Sequence, residues 1–226
     1  MTKATNVILV HGGWADGSSW SKVIPLLIGR GLRVTAVQLS LTSLKDDVAT
    51  VKRALALQDG PTVLVGHSYG GVVITEAGND PKVAGLVYIA AFAPDAGQSV
   101  GSLGASGEPA PMGAEVRPDA QGYLKLTEAG VKDNFAQDLS PTEKDVLFAA
   151  QAPTAAGVFG ENVSAAAWKT KPSWYLVAKQ DRAIQPSLER AMAKTIKAKT
   201  IEVDASHVAM LARPQETANL ILEATA

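Results

Sequence analysis

The sequence predicts an α/β fold: a doubly wound, mostly parallel sheet of about six strands with helices on both faces. Two observations carry this. Short runs rich in valine, isoleucine and leucine alternate with longer segments of helical period, the pattern of a sheet wound with crossover helices. Most of those runs are apolar without interruption, as parallel strands covered on both faces must be.

The strands are expected at residues 7–10, 34–37, 62–65, 86–90, 174–178 and 200–203. Helices are expected at 19–28, 44–57, 69–78, 187–195 and 214–224. Ser43 precedes Leu44 with Asp46 three residues on, and Pro214 suits a first helical turn. With 226 residues the chain reads as one domain spanning 1–226.

The alternation breaks once, after the fourth recognisable strand. An insertion at about 95–168 separates two sheet strands. It opens with a Gly/Ser/Pro/Ala-rich stretch from Gly97 to Gly113, which reads as mobile and irregular. An extended piece at 123–127 follows. Ser140-Pro141-Thr142-Glu143 is a capping box with proline at the first helical position. Such an insertion at the carboxyl edge of the sheet is where a lid over an active site would sit. Gly101-Ser102-Leu103-Gly104-Ala105-Ser106-Gly107 has neither a strand directly before it nor a convincing helix after it, so it is not read as a phosphate loop.

Composition excludes several function classes. The net charge is −1 and both signs are interspersed among the 19% of charged residues, so no basic stripe marks a nucleic-acid partner and no polybasic segment marks a membrane. The absence of cysteine removes disulfides, thiol catalysis and cysteine-held metals. The three histidines are scattered and form no metal-ligand pair, so no metal or other cofactor is expected. The start, Met1 to Asn6, carries no leader-like apolar stretch, and a cytoplasmic protein is expected.

The chemistry concentrates at Gly66-His67-Ser68-Tyr69-Gly70-Gly71. An apolar strand delivers a Gly-x-Ser-x-Gly pentapeptide directly into a helical segment. This puts Ser68 on a sharp strand-to-helix turn at the carboxyl edge of the sheet, over the positive end of a helix. A serine nucleophile needs a base. His67 sits inside the turn, with its side chain expected to project away from Ser68. His11, in His11-Gly12-Gly13-Trp14, reads as a brace for its loop. His207 lies just beyond the last strand, in a loop returning to the same edge, and is the expected base. The carboxylate that orients it is expected to be Asp181, after the strand at 174–178, with Asp95 the main rival and Asp204 a weaker one. The chain order is then Ser, Asp, His.

These motifs resemble the α/β-hydrolase fold superfamily, specifically the branch of small bacterial esterases, plant methyl esterases and hydroxynitrile lyases. The matching signatures are His11-Gly12-Gly13-Trp14 with Trp20, the Ser68 turn, Asp181, and Ser206-His207-Val208-Ala209-Met210-Leu211 followed by Arg213-Pro214. The likeness covers almost the whole chain outside the insertion. It implies that the N–H groups of Gly13 and Tyr69 form the oxyanion hole. The chain departs from the family in beginning at what would be its third strand, and the insertion matches weakly.

The resemblance also separates neighbouring reactions. Relatives that open epoxides or remove halides place an aspartate where this chain has Ser68. The lyases have a lysine after the catalytic histidine and a threonine after the first motif's histidine, where this chain has Val208 and Gly12. The expected activity is hydrolysis of a small, mostly apolar carboxylic ester through an acyl-enzyme intermediate. The alternatives are a ligand-binding or receptor protein on the same scaffold and a C–C lyase. Trp14, Phe92, Phe148 and Trp168 are the expected substrate-pocket residues.

Overall fold

A computed structural model describes residues 3–226; Met1 and Thr2, where the leaderless reading begins, lie outside the described residues. The chain runs β1 (Asn6–Val10), a 3₁₀ turn (Gly17–Trp20), α1 (Ile24–Ile28), β2 (Arg33–Ala36), α2 (Leu44–Ala56), β3 (Thr62–Ser68), α3 (Gly70–Ala77) and β4 (Val83–Ala91). The insertion then carries α4 (Val100–Gly104), β5 (Val116–Pro118), β6 (Tyr123–Leu126), α5 (Pro141–Ala150) and β7 (Thr154–Ala155). The sheet resumes with β8 (Ser173–Ala178), α6 (Pro186–Thr195), β9 (Lys199–Val203), α7 (Ala209–Ala212) and α8 (Pro214–Ala224).

Six strands form the main sheet in the order β2-β1-β3-β4-β8-β9, and every neighbouring pair is parallel. The alternate side chains of the central strands feed two cores. Val7, Leu9, Val63, Val65, Val87 and Ile89 pack on one face with Leu27 of α1 and Leu220 and Ile221 of α8. Ile8, Val10, Leu64, Leu86 and Tyr88 pack on the other with Val48 and Val51 of α2, Val73 of α3 and Met192 of α6. Burial on both faces is why these strands read as unbroken apolar runs.

The topology also fixes where a site can form. From β1 the chain moves to β2 on one side and then crosses back to β3 on the other. Loops leaving the carboxyl ends of β1 and β3 therefore diverge and leave a crevice, the usual ligand position in such sheets.

All six expected sheet strands are present, and two local expectations change. The helix expected at 19–28 is a 3₁₀ turn followed by the short α1, because Pro25 has no N–H to donate into a continuous helix. The Gly97–Gly113 stretch is more ordered than its composition suggests. Ser99 and Ser102 form a reciprocal capping box that starts α4, and Met112 is buried in a 3₁₀ turn at Pro111–Glu115. Serine in place of the usual glutamate hid that cap. The Ser140–Glu143 box does start α5, with both of its hydrogen bonds made.

Candidate active site

Ser68 ends β3 with φ of +53°, the left-handed region that a non-glycine residue adopts only under constraint. The constraint is close packing. A Cβ on Gly66 would stand 2.5 Å from the carbonyl oxygen of Gly70, so the turn closes only with glycine there. A Cβ on Gly12 would meet the Ser68 Cβ at 2.6 Å, which brings the loop after β1 directly against the serine.

His207 and Asp181 meet as expected. Asp181 Oδ2 accepts from His207 Nδ1 at 2.6 Å, and both side chains are buried. Asp181 Oδ1 accepts the N–H groups of Ala183 and Ile184 at 2.6 and 2.9 Å, which fixes the plane of the carboxylate. With its proton on Nδ1, His207 has a bare lone pair on Nε2, and that atom is buried with no hydrogen-bond partner. Ser68 Oγ makes no hydrogen bond to it in this state; such contacts commonly tighten only when substrate binds.

The rival acids are engaged elsewhere. Asp95 pairs with Lys169 at 2.5 Å, which holds its carboxyl below the usual carboxylate range. Asp204 is exposed and pairs with Lys179 at 3.0 Å.

The other two histidines are structural partners of the site. His11 Nε2 accepts the N–H of Leu39 at 2.9 Å, so its Nδ1 carries the proton and donates to the Gly12 carbonyl at 2.8 Å. His67 joins the site through the loop after β9. Its Nε2 donates to the main-chain carbonyl of His207 at 2.9 Å, and the two rings lie 4.6 Å apart. Burial, reinforced by the neighbouring His207, pushes the His67 imidazole well below its ordinary value and keeps it neutral.

Gly13 and Tyr69 sit on the two loops that border the crevice. Among the described residues, neither N–H has a protein acceptor. The Tyr69 phenol is directed into the core, where it donates to Asp47 Oδ2 at 3.0 Å. Asp47 also accepts the Leu41 N–H at 3.0 Å and the Ser40 hydroxyl at 3.1 Å. The sequence reading missed Asp47, which looks there like one more acidic residue of a helix first turn. The Gly13 loop is pinned by the insertion. Trp14, at φ +56°, donates its N–H to Thr154 Oγ1 at 3.0 Å and its indole N–H to the Leu124 carbonyl at 2.9 Å.

A cavity of about 330 Å³ opens beside Ser68. Trp14, Phe92, Met112, Val116, Phe159 and Ile184 line it, and no charged side chain does. Of the four expected pocket residues, Trp14 and Phe92 are here. Phe148 and Trp168 are not among the lining. Phe148 lies on the outer helix α5, none of whose residues is buried, and Trp168 donates its indole N–H to the Pro94 carbonyl at 2.8 Å. The insertion instead supplies Met112, Val116 and Phe159, positions that only its fold could indicate. A hollow of about 380 Å³ over α2, lined by Lys45, Lys52, Glu76 and Glu161 among others, shares no lining residue with this cavity. Among the described residues no cluster of metal-binding side chains occurs, and no helix is long and apolar enough to cross a membrane.

Comparison with known proteins agrees with this architecture. The model of the alpha/beta hydrolase family matches residues 7–220. The chain belongs to the alpha/beta hydrolase family. Within it, this hydrolase-family chain is 27% identical over 248 residues to the pyrethroid hydrolase of Sphingobium wenxiniae, covering 97% of this chain and 87% of that one. It is 27% identical over 236 residues to methylesterase 8 of Arabidopsis thaliana, covering 92% and 85%. The crystal structure of a pyrethroid hydrolase from Sphingobium faniae JZ-2 superposes with a TM-score of 0.85 at 25% identity, covering 98% and 97%.

Proposed function

We propose that this chain is a serine hydrolase of small, mostly apolar carboxylic esters, acting through an acyl-enzyme. The observation that carries the reading is the buried His207–Asp181 pair, at 2.6 Å, with a free imidazole Nε2 at the sheet edge that bears Ser68. The relatives named as a hydrolase and a methylesterase support the reaction class.

In this mechanism the ester carbonyl enters the apolar cavity with its oxygen between the N–H groups of Gly13 and Tyr69. His207 Nε2 takes the Ser68 proton as Oγ attacks the carbonyl carbon. Negative charge moves onto the carbonyl oxygen, where two fixed main-chain donors stabilise it better than reorienting water would. The imidazolium, steadied by Asp181, returns its proton to the departing alcohol and leaves an acyl-Ser68 ester. Water, deprotonated by the same Nε2, then attacks the acyl carbon and releases the acid.

The cavity wall supports the proposed substrate class. A charged acyl or alcohol group would lose its hydration there and find no counter-ion. A volume of about 330 Å³ suits a small molecule.

The test is pre-steady-state turnover of short-chain nitrophenyl esters. A burst of about one nitrophenolate per protein, followed by slower steady release, is the expected result, with neutral acyl groups preferred over charged ones. No turnover by the wild type across an acyl series would contradict the reading and favour a ligand-binding protein on this scaffold.

A further inference from the structure

Glu189, in the first turn of α6, is completely buried. No cation accompanies it: the adjacent Arg190 is committed to Glu202 on the surface, at 2.9 and 2.7 Å. Its Oε2 accepts the Ala178 N–H at 3.1 Å, at the end of β8. Its Oε1 meets no donor. Ala178, whose N–H Glu189 accepts, also takes the Asp181 N–H on its carbonyl at 3.1 Å, so the two buried acids are anchored to the same residue at the end of β8. The remaining titratable neighbour is Tyr175 on β8, whose hydroxyl is satisfied by the main chain of Ala91.

Two carboxyl groups facing each other in a dry interior cannot both be ionised. Asp181 already accepts from His207, Ala183 and Ile184, so its charge is the one the surroundings solvate. Glu189 has one acceptor contact and no other donor. Burial first, and the Asp181 charge second, push its carboxyl far above the usual range.

We propose that Glu189 is a positioning residue for Asp181: it carries the proton of the pair and donates it to the Asp181 carboxylate. A fourth donor then completes the shell around the acid and draws some charge away from its bond to His207. This setting moderates the basicity of the imidazole, since an acid with fewer donors would stabilise the imidazolium more strongly. The inference rests on the hydrolase reading for its kinetic consequence, though not for the location of the proton.

Two readouts test it on the full chain. Difference infrared spectra of the wild type and Glu189→Gln at neutral pH report the proton directly. The wild type should show the carbonyl stretch of a neutral carboxylic acid, and the variant should lack it. Absence of that band would overturn the proposal whatever the protein's activity. The second readout is the pH profile of kcat/KM. In Glu189→Gln the amide keeps both contacts, an oxygen for Ala178 and an N–H for Asp181, and the profile should stay where it is. In Glu189→Leu the donor is gone. The acidic limb should move to higher pH by about half a unit or more, with kcat lowered roughly tenfold, the scale of one hydrogen bond to a charged group. If Glu189→Gln shifts the limb as far as Glu189→Leu does, the donor role is wrong. Should Glu189→Leu fail to fold, the infrared band and the Gln profile still decide. Wild type that shows the band but hydrolyses no ester would sink the hydrolase reading and leave the proton assignment standing.

Discussion

His67 Nε2 donates to the main-chain carbonyl of His207 across 2.9 Å, so the residue preceding the serine holds the backbone of the residue proposed as its base. The bond ties the turn after β3 to the loop after β9, two segments far apart in sequence. A carbonyl accepts only, which assigns the His67 proton to Nε2 and leaves Nδ1 without a partner.

His67→Leu removes that donor while filling much of the same space. It should lower stability by about 1–3 kcal/mol, the cost of an unpaired buried carbonyl, and reduce kcat more than it changes KM. Urea unfolding and steady-state kinetics on one preparation measure both effects.

The same residue gives a pH dependence. Burial holds His67 well below its ordinary 6.5, and His11 is lowered as well. Below about pH 6.5 the unfolded chain binds protons that the folded chain refuses, so this contribution is whole above 6.5 and is lost as pH falls. Buried Glu189, displaced upward, works in the opposite sense, favouring the folded state less as pH rises above its ordinary 4.5. Comparison with the variant isolates the histidine: between pH 7 and pH 5, His67→Leu should lose less stability than wild type.

Among the acids, Asp181→Asn should keep the fold and lower turnover by roughly 10⁴, the penalty for an imidazole held in the wrong tautomer. Asp95→Asn should leave kcat within about twofold, since it breaks only an exposed pair with Lys169. Measuring kcat for both variants on one ester separates them. The reverse ranking would redraw the site.

Thr154→Val tests whether the insertion shapes the proposed oxyanion hole. It removes the acceptor of the Trp14 N–H, beside Gly13, with little change in volume. The strained loop should relax, lowering kcat by about tenfold with KM little altered, as expected when a contact made in the transition state is weakened. An unchanged kcat would detach the insertion from the chemistry.

Phe159→Ala enlarges the cavity beside Ser68, whereas Phe148→Ala trims an outer helix. The first should shift preference toward longer acyl chains and the second should leave the acyl-length profile unchanged. An acyl-length series on each variant checks this.

Much of this was legible in the sequence because it rests on local chemistry. The buried strands announce themselves as apolar runs, and a Gly-x-Ser-x-Gly turn between strand and helix has few other uses. With three histidines in the chain, the order of elements around the sheet narrows the proposed base to His207. The less legible residues act across long sequence separations. Asp47, Glu189 and Thr154 look like ordinary polar residues until folding buries them against Tyr69, Asp181 and Trp14. The cavity wall was obscured for a related reason: the insertion is short on periodic pattern, so nothing in its sequence separates inward Phe159 from outward Phe148.

The central claim is that Ser68 is the nucleophile and His207 activates it. The most direct measurement exposes wild type, Ser68→Ala and His207→Ala to a fluorophosphonate and locates the adduct by peptide mass spectrometry. The account predicts one adduct per chain, on Ser68 in the wild type, none in Ser68→Ala, and labelling slowed by several orders of magnitude in His207→Ala. An adduct on another serine, or equal labelling rates in wild type and His207→Ala, would contradict it.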